Sequence, residues 1–390
     1  MVDDTDRPMN LAPASILDYR ELARRRLPRQ LFDYIDGGAY AENTMRENVE
    51  ALRKIRLRQR VLRDVSNIDL STSVLGTALA LPVILAPVGL AGMYASRAEV
   101  QAARAAELAG VAFCESTVSI CSIEEVAAAL KTPPWFQLYV MRDRSYAESL
   151  MERAQRVGCS VLVLTVDLPV VGARYRDTRN GIDTRLSIGA RVRNTLDLLS
   201  HPRWFIDVPI RGRPLTFGNL EAAVPGARSP SNFRQWVDAQ WDASVTWSDL
   251  AWVREHWRGK LVLKGVLDPE DAARAVDAGV DGIIVSNHGG RQLDDVDATA
   301  RVLPKIANRV GDQLAVLVDG GIRSGLDVVK MLALGAKACL LGRAWAYAVA
   351  ARGQGGVAHV LEILRSEMTT AMALTGNSRL SELDHNTLDL

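Results

Sequence analysis

Four kinds of short string in this chain carry residues that move protons or hold anions. SNHGGRQLD sets His288 three residues before Arg291, with Gly289 and Gly290 between them. An imidazole beside a guanidinium suits removal of a proton or hydride from an anionic substrate, because the base takes the proton while the fork holds a carboxylate. Asp167 closes the apolar run LTVDLP, where a carboxylate can orient an imidazole and stabilise its protonated form. DGGIRSG (Asp319, Gly320, Gly321, Arg323) and LLGRA (Gly342, Arg343) combine glycine amides, a helix start and a cation, the makings of a phosphate site. Lys264 ends the run LVLKG with no acid adjacent in sequence, and inside a fold it would be a buried charge facing a developing anion. Each string alone also reads as a structural histidine, a loop acid, a tight turn or a surface lysine. Chemistry requires a scaffold that gathers them.

The periodicity predicts that scaffold. Apolar runs start at Leu81, Ala112, Trp135, Ser160, Leu261, Gly282, Leu314 and Ala338. Several are near-continuous rather than alternating, as in parallel strands covered on both faces. Helical spacing fills the gaps at 98–109, 123–130, 146–157, 269–278 and 326–334. Ser122 and Asp268 read as N-caps, and Gly110, Gly158, Gly279 and Gly335 as left-handed residues just past helix ends. Eight such units predict an α/β protein of the (β/α)8 TIM-barrel type over residues 81–345, as one domain. A helical N-terminal extension would occupy 1–80 and closing helices 346–390. The fourth and fifth strand starts are 101 residues apart, against 21–32 for the other intervals, so an insertion is expected at about 177–246.

Active sites of such barrels lie at the C-terminal ends of the strands. The residues found there are Pro87, Val88 and Gly89, then Ser116, then Gln137 and Tyr139, then Thr165 and Asp167 with Arg174 shortly after. Lys264, then Ser286, His288 and Arg291, then Asp319 to Arg323, then Gly342 and Arg343 complete the circuit. Chance placement would scatter these polar groups; here they fall on one rim.

Composition narrows the class. With 47 Lys+Arg against 46 Asp+Glu the net charge is +1, which argues against a nucleic-acid binder and against an acidic disordered chain. Cys114, Cys121, Cys159 and Cys339 have neither disulfide-framework nor ligand spacing, so no metal site is expected and a reducing compartment is. The polar start MVDDTDRPMN does not read as a secretory signal. Leu70 to Ser96 carries no charge, but its prolines and glycines predict a buried strand with loops rather than a spanning helix.

Together the strings SNHGGRQLD, WFQLYV, LTVDLP, LVLKG, VDGGIR and LALGAKACLLGR resemble the FMN-dependent L-2-hydroxy-acid dehydrogenase and oxidase family, over about Ile16 to Leu383. FDYIDGGAY and ARYRD are in the style of its bacterial quinone-linked L-lactate dehydrogenases. The resemblance implies that His288 takes the substrate proton and that Asp167 holds its imidazole. It further implies that Arg291 and Arg174 bind the substrate carboxylate, and that Tyr34 and Tyr139 contact the carboxylate and hydroxyl. Lys264 would stabilise charge on the reduced flavin. FMN would rest on Pro87, Val88, Gly89, Ser116, Gln137, Thr165 and Ser286, with its phosphate at Asp319, Gly320, Gly321, Arg323, Gly342 and Arg343. The implied reaction is oxidation of L-lactate to pyruvate with electrons passed to a quinone; the alternatives are an L-mandelate dehydrogenase and an oxygen-using oxidase. A homotetramer is also implied. Where glycolate oxidase has a tryptophan, this chain has Val118, which opens the pocket and disfavours glycolate.

The insertion carries its own signal. Residues 178–215 hold seven arginines against three aspartates, a net of +4 inside a chain of +1, interleaved with Trp204, Phe205, Ile206, Val208 and Ile210. Apolar groups that enter a lipid interface beside arginines that meet anionic headgroups fit a peripheral membrane patch. The expected location is the cytoplasmic face of the inner membrane.

Overall fold

A computed structural model of the chain describes residues 13–181, 187–221 and 240–389. Eight parallel strands close into a barrel: β1 (Val83–Leu85), β2 (Ala112–Ser116), β3 (Trp135–Leu138), β4 (Val161–Thr165), β5 (Lys260–Val266), β6 (Gly282–Val285), β7 (Ala315–Val318) and β8 (Ala338–Leu341). Seven of the predicted runs contain one of them, and the run from Leu261 matches β5, which starts one residue earlier at Lys260. β8 pairs back onto β1 through Leu340↔Ile84, which closes the ring. Alternate strand residues such as Ile84, Cys114, Val163, Val262, Ile284 and Leu317 pack inside it, while their neighbours face the helices. This two-sided burial is why the runs lack polar alternation.

The helix signals hold locally. Ser122 accepts from the Glu125 amide and Asp268 from the Glu270 amide with Pro269 in the first turn. Gly110, Gly158, Gly279 and Gly335 all take the left-handed conformation. The C-terminal helix runs from Arg343 to Thr375 across a break at Arg352 and Gly353.

The N-terminal extension is helical only to Lys54: Ile16–Arg26, Arg29–Asp36 and Asn43–Lys54. Beyond it the expectation of helix fails. The uncharged stretch instead makes a hairpin, Thr72–Val74 with Thr77–Leu79, turning at Leu75 and Gly76, both with positive φ. Val74 and Leu79 join the apolar cluster inside the barrel, and Thr77 accepts from the Trp135 indole at 3.1 Å. Absence of charge there reflects a plug in the barrel's N-terminal mouth. Among the described residues no helix is long and apolar enough to cross a membrane.

Between β4 and β5 the described part of the insertion contains short helices Tyr175–Arg179, Ile188–Leu199 and Pro202–Phe205, followed by a π-helical turn Ile206–Arg211. Asp183 and Arg185 lie outside the described residues.

Candidate active site

One cavity opens at the C-terminal ends of the strands. Its wall includes Pro87, Val88, Gly89, Tyr139, Arg174, Lys264, His288, Arg291, Asp319, Gly320, Gly321, Arg323, Gly342 and Arg343, with Tyr34 brought in by the extension. Residues spread over more than 300 positions of sequence thus meet in one place.

His288 is placed by strain. It follows β6 with φ at 56°, a left-handed conformation uncommon for a residue with a Cβ, and Gly289 and Gly290 continue it at 64° and 74°. The turn is held by Ser286 Oγ, which accepts from the His288 amide at 3.0 Å. The ring then lies with Nδ1 2.9 Å from Asp167 Oδ1. With the Nδ1 proton donated to that carboxylate, Nε2 is the basic nitrogen. Burial pulls the imidazole below its ordinary pKa, as do Lys264 and Arg174, against the opposing pull of Asp167. Burial would raise the Asp167 carboxyl, but His288 and Lys264 outweigh it and hold it down. The pair therefore rests as neutral base and carboxylate.

Lys264, 4% exposed, bonds Ser286 Oγ at 2.8 Å and pairs with Asp319 at 3.0 Å. Burial would lower this ammonium; Asp319 and Asp167 overcome it and raise the pKa, so the group stays charged. A buried lysine that keeps its charge is suited to stabilising an anion beside it.

Two guanidiniums flank one phenol. Arg291 and Arg174 lie 5.0 and 5.8 Å from the Tyr34 ring centroid, and both act on the half-buried Tyr139. Burial, with Asp167 and Tyr34, raises that phenol, so it remains a proton donor. Two guanidiniums and two phenols beside a base are an arrangement suited to a carboxylate with an adjacent hydroxyl.

Ser116, Gln137, Thr165, Ser286 and Asp167 stand one layer behind the cavity wall. Ser116 Oγ bonds Gln137 Oε1 at 3.1 Å, whereas the Gln137 amide nitrogen is buried with no acceptor among the described residues. A buried, unaccepted donor at a strand end fits a ligand carrying carbonyl acceptors, such as a flavin ring. Gly320 and Gly321, with φ at 99° and 79°, fit a phosphate cradle, as does Gly342, around whose added Cβ nothing lies within 4 Å. The residues present fit FMN.

Several wall residues have no counterpart in the sequence reading. Leu168 and Val171 lie one and four residues after Asp167 and could have been found by that proximity. Phe217, Trp241 and Tyr94 could not, because they arrive through the insertion and a loop. Trp241 packs edge-on against Tyr139, ring centroids 4.6 Å apart.

The fold, the base–carboxylate pair and the cradle define a flavin-binding barrel oxidoreductase. Residues 23–390 match the model of the FMN-dependent dehydrogenase family, and the chain belongs to that family. It is 56% identical over 375 residues to an L-lactate dehydrogenase of Caulobacter vibrioides, covering 96% of this chain and 97% of that protein. It is 53% identical over 371 residues to an L-lactate dehydrogenase of Stenotrophomonas maltophilia, covering 95% and 97%. Among solved structures it is similar to a monotopic membrane protein, (S)-mandelate dehydrogenase, with TM-score 0.90, 38% identity and coverage of 98% and 100%. It is also similar to a mandelate oxidase, with TM-score 0.82, 38% identity and coverage of 97% and 98%. The chain is an FMN-dependent dehydrogenase.

Proposed function

We propose that this chain oxidises L-lactate to pyruvate and passes the electrons to a membrane quinone. The observation that carries the chemistry is the His288–Asp167 pair beside Arg174, Arg291, Tyr34 and Tyr139 in one cavity. Arg174 and Arg291 hold the carboxylate of a 2-hydroxy acid, and the Tyr34 and Tyr139 hydroxyls contact its carboxylate and hydroxyl. His288 Nε2 takes the proton released on oxidation, and Asp167 stabilises the imidazolium that results. FMN, when bound, accepts two electrons from the substrate. Pro87, Val88, Gly89, Ser116, Gln137, Thr165 and Ser286 would hold its ring. Asp319, Gly320, Gly321, Arg323, Gly342 and Arg343 would surround its phosphate, and Lys264 would stabilise negative charge on the reduced ring. Lactate is favoured over mandelate because the relatives of higher identity are L-lactate dehydrogenases. Anaerobic mixing of the holoenzyme with L-lactate, L-mandelate and glycolate in parallel tests the choice. L-lactate bleaches the flavin fastest; fast bleaching by L-mandelate with none by L-lactate reverses it.

The insertion supports a peripheral membrane location. In Ile188–Leu199 no residue is buried, and Ile188, Val192, Leu196 and Leu199 are 82, 54, 61 and 67% exposed along one side. Phe205, Ile206 and Ile210 extend the surface, and Arg191, Arg193, Arg203, Arg211 and Arg213 are exposed around it. Trp204 and Val208, counted with the patch on sequence, are buried instead: the Trp204 indole donates to Met93 O at 2.9 Å and pins the segment to the barrel. This face is proposed to rest on an anionic membrane at the cytoplasmic side of the inner membrane, where a lipid quinone can collect electrons. Homotetrameric assembly is proposed on the family resemblance, and sedimentation of the holoenzyme measures it.

A further inference from the structure

Tyr34 and Arg174 reach the cavity from distant parts of the chain, and those parts are fastened to each other. Tyr34 belongs to the helix Arg29–Asp36 of the extension, and Arg174 is the N-cap of the helix Tyr175–Arg179 that opens the insertion. Asp36, the last residue of the first helix, is 4% exposed. It accepts from Arg20 Nε and Nη2 at 2.6 and 2.9 Å, from the Tyr347 hydroxyl at 2.8 Å and from Arg176 Nη1 at 2.8 Å. Burial would raise this carboxyl, but the two guanidiniums and the phenol hold it well below the ordinary carboxylate range. Arg176 Nη2 also donates to Glu42 Oε2 at 2.6 Å, so one guanidinium of the insertion grips both ends of the turn that follows the Tyr34 helix. Gly37 leaves room for it: an added Cβ would lie 3.2 Å from Arg176 Cδ. Around the pair, Tyr40 N donates to Ala173 O at 2.7 Å, Gln30 Nε2 to Asn180 O at 2.8 Å and Asn180 Nδ2 to Asp33 Oδ2 at 2.8 Å. A buried ion pair is a weak source of net stability, because desolvation offsets the attraction, but breaking it by removing one partner is costly. Such a pair resists displacement of the two elements it joins.

We propose that Asp36 and Arg176 are positioning residues for the substrate carboxylate: their ion pair locks the extension to the start of the insertion and so fixes Tyr34 and Arg174 relative to one another. Neither side chain lines the cavity, so both act through the residues that do. The proposal rests on the reading that Tyr34 and Arg174 meet a carboxylate. It does not depend on which 2-hydroxy acid is used.

Asp36→Asn, Arg176→Met, Arg176→Lys and the double variant Asp36→Asn/Arg176→Met are compared with the wild type as holoenzymes. Steady-state kinetics give KM and kcat for the best 2-hydroxy acid, and titration with pyruvate, followed by flavin absorbance, gives a carboxylate affinity without turnover. Asp36→Asn and Arg176→Met each raise KM and the pyruvate dissociation constant roughly tenfold, the effect of one charge-assisted hydrogen bond, while kcat changes much less. Affinity of the apoprotein for FMN, read by flavin fluorescence quenching, stays at the wild-type value, which separates positioning from a general loosening of the fold. The double variant falls well short of the roughly hundredfold product, because both changes remove the same pair. Arg176→Lys recovers part of the loss, since a point charge still pairs with Asp36. Wild-type KM and pyruvate affinity in folded Arg176→Met overturn the proposal. An increase in KM matched by an equal fall in FMN affinity overturns it too, as does a double variant at the full product. Arg176 lies at the part-exposed edge of the cluster, so its variants decide the matter if Asp36→Asn does not fold. A wild-type protein that binds pyruvate but is reduced by no 2-hydroxy acid refutes the oxidation reading, and the pyruvate affinities of the variants still decide the positioning role. One that neither binds pyruvate nor is reduced overturns both.

Discussion

The N-terminal extension and the β4–β5 insertion both lie outside the barrel count, yet they are attached in opposite ways. The extension is stitched to the rim through buried polar groups. Asn48 and Asn287 exchange two side-chain bonds of 2.8 Å, and Asp294 caps the helix Asn43–Lys54 by accepting from the amides of Asn43 and Thr44. Gly321 sits so close that an added Cβ would lie 2.2 Å from Asn48 O. The described insertion is tied down along its base, with Trp204 on Met93, Arg26 on Asp207 at 2.6 Å, and Asn219, whose side-chain Oδ1 accepts from the Ile123 amide at 2.8 Å. Its helix Ile188–Leu199 buries nothing. Unsatisfied polar groups are costly inside a protein, so a fully bonded contact marks a segment built into the site. An apolar face left in water marks a segment built to meet something else.

If that contrast is right, changes beneath the extension damage chemistry and changes on the insertion damage location. The largest effect is expected from His288→Asn, which removes the base: kcat/KM falls by about 10²–10⁴-fold while FMN content is unchanged, read by anaerobic stopped-flow. Asp167→Asn lowers kcat/KM less and also moves its acid limb. The wild-type base must be neutral and its pKa lies below the ordinary value, so kcat/KM rises with pH through that lowered pKa and is flat above it. Asp167 pulls the imidazole upward, so its neutralisation shifts the limb to still lower pH; a shift upward refutes the assignment.

Gly321→Ala comes next. A Cβ there meets backbone and the residue has φ at 79°, so the extension must lift from the rim. Thermal unfolding should show a loss of about 1–3 kcal/mol, with KM raised through Tyr34. The smallest effect on turnover belongs to the insertion. Replacing Ile188, Val192, Leu196 and Leu199 together with Ser leaves kcat with a soluble electron acceptor unchanged. Each apolar side chain buried in lipid contributes about 1.5–3 kcal/mol, so flotation with anionic vesicles should drop sharply. Unchanged flotation removes this helix from the membrane contact, and a collapse of kcat dissolves the contrast itself.

The barrel was legible in the residues because parallel strands buried on both faces produce apolar runs that no other arrangement tolerates at that spacing. His288, Asp167, Lys264 and the two glycine–arginine loops were legible for a related reason: they end those runs, and strand ends converge once the ring closes. Their partners were not. Nothing near Asp294 marks it as the cap of a helix 250 residues earlier, and nothing near Arg176 announces that its guanidinium meets the carboxylate of Asp36. Trp204 and Phe205 are adjacent and equally apolar, yet one is an anchor and the other faces solvent. Local sequence determines periodicity, capping and turn conformation because those are interactions of neighbours along the chain. Which polar groups satisfy one another, and which apolar ones stay uncovered, depends on what closure brings together, and only the tertiary structure decides that.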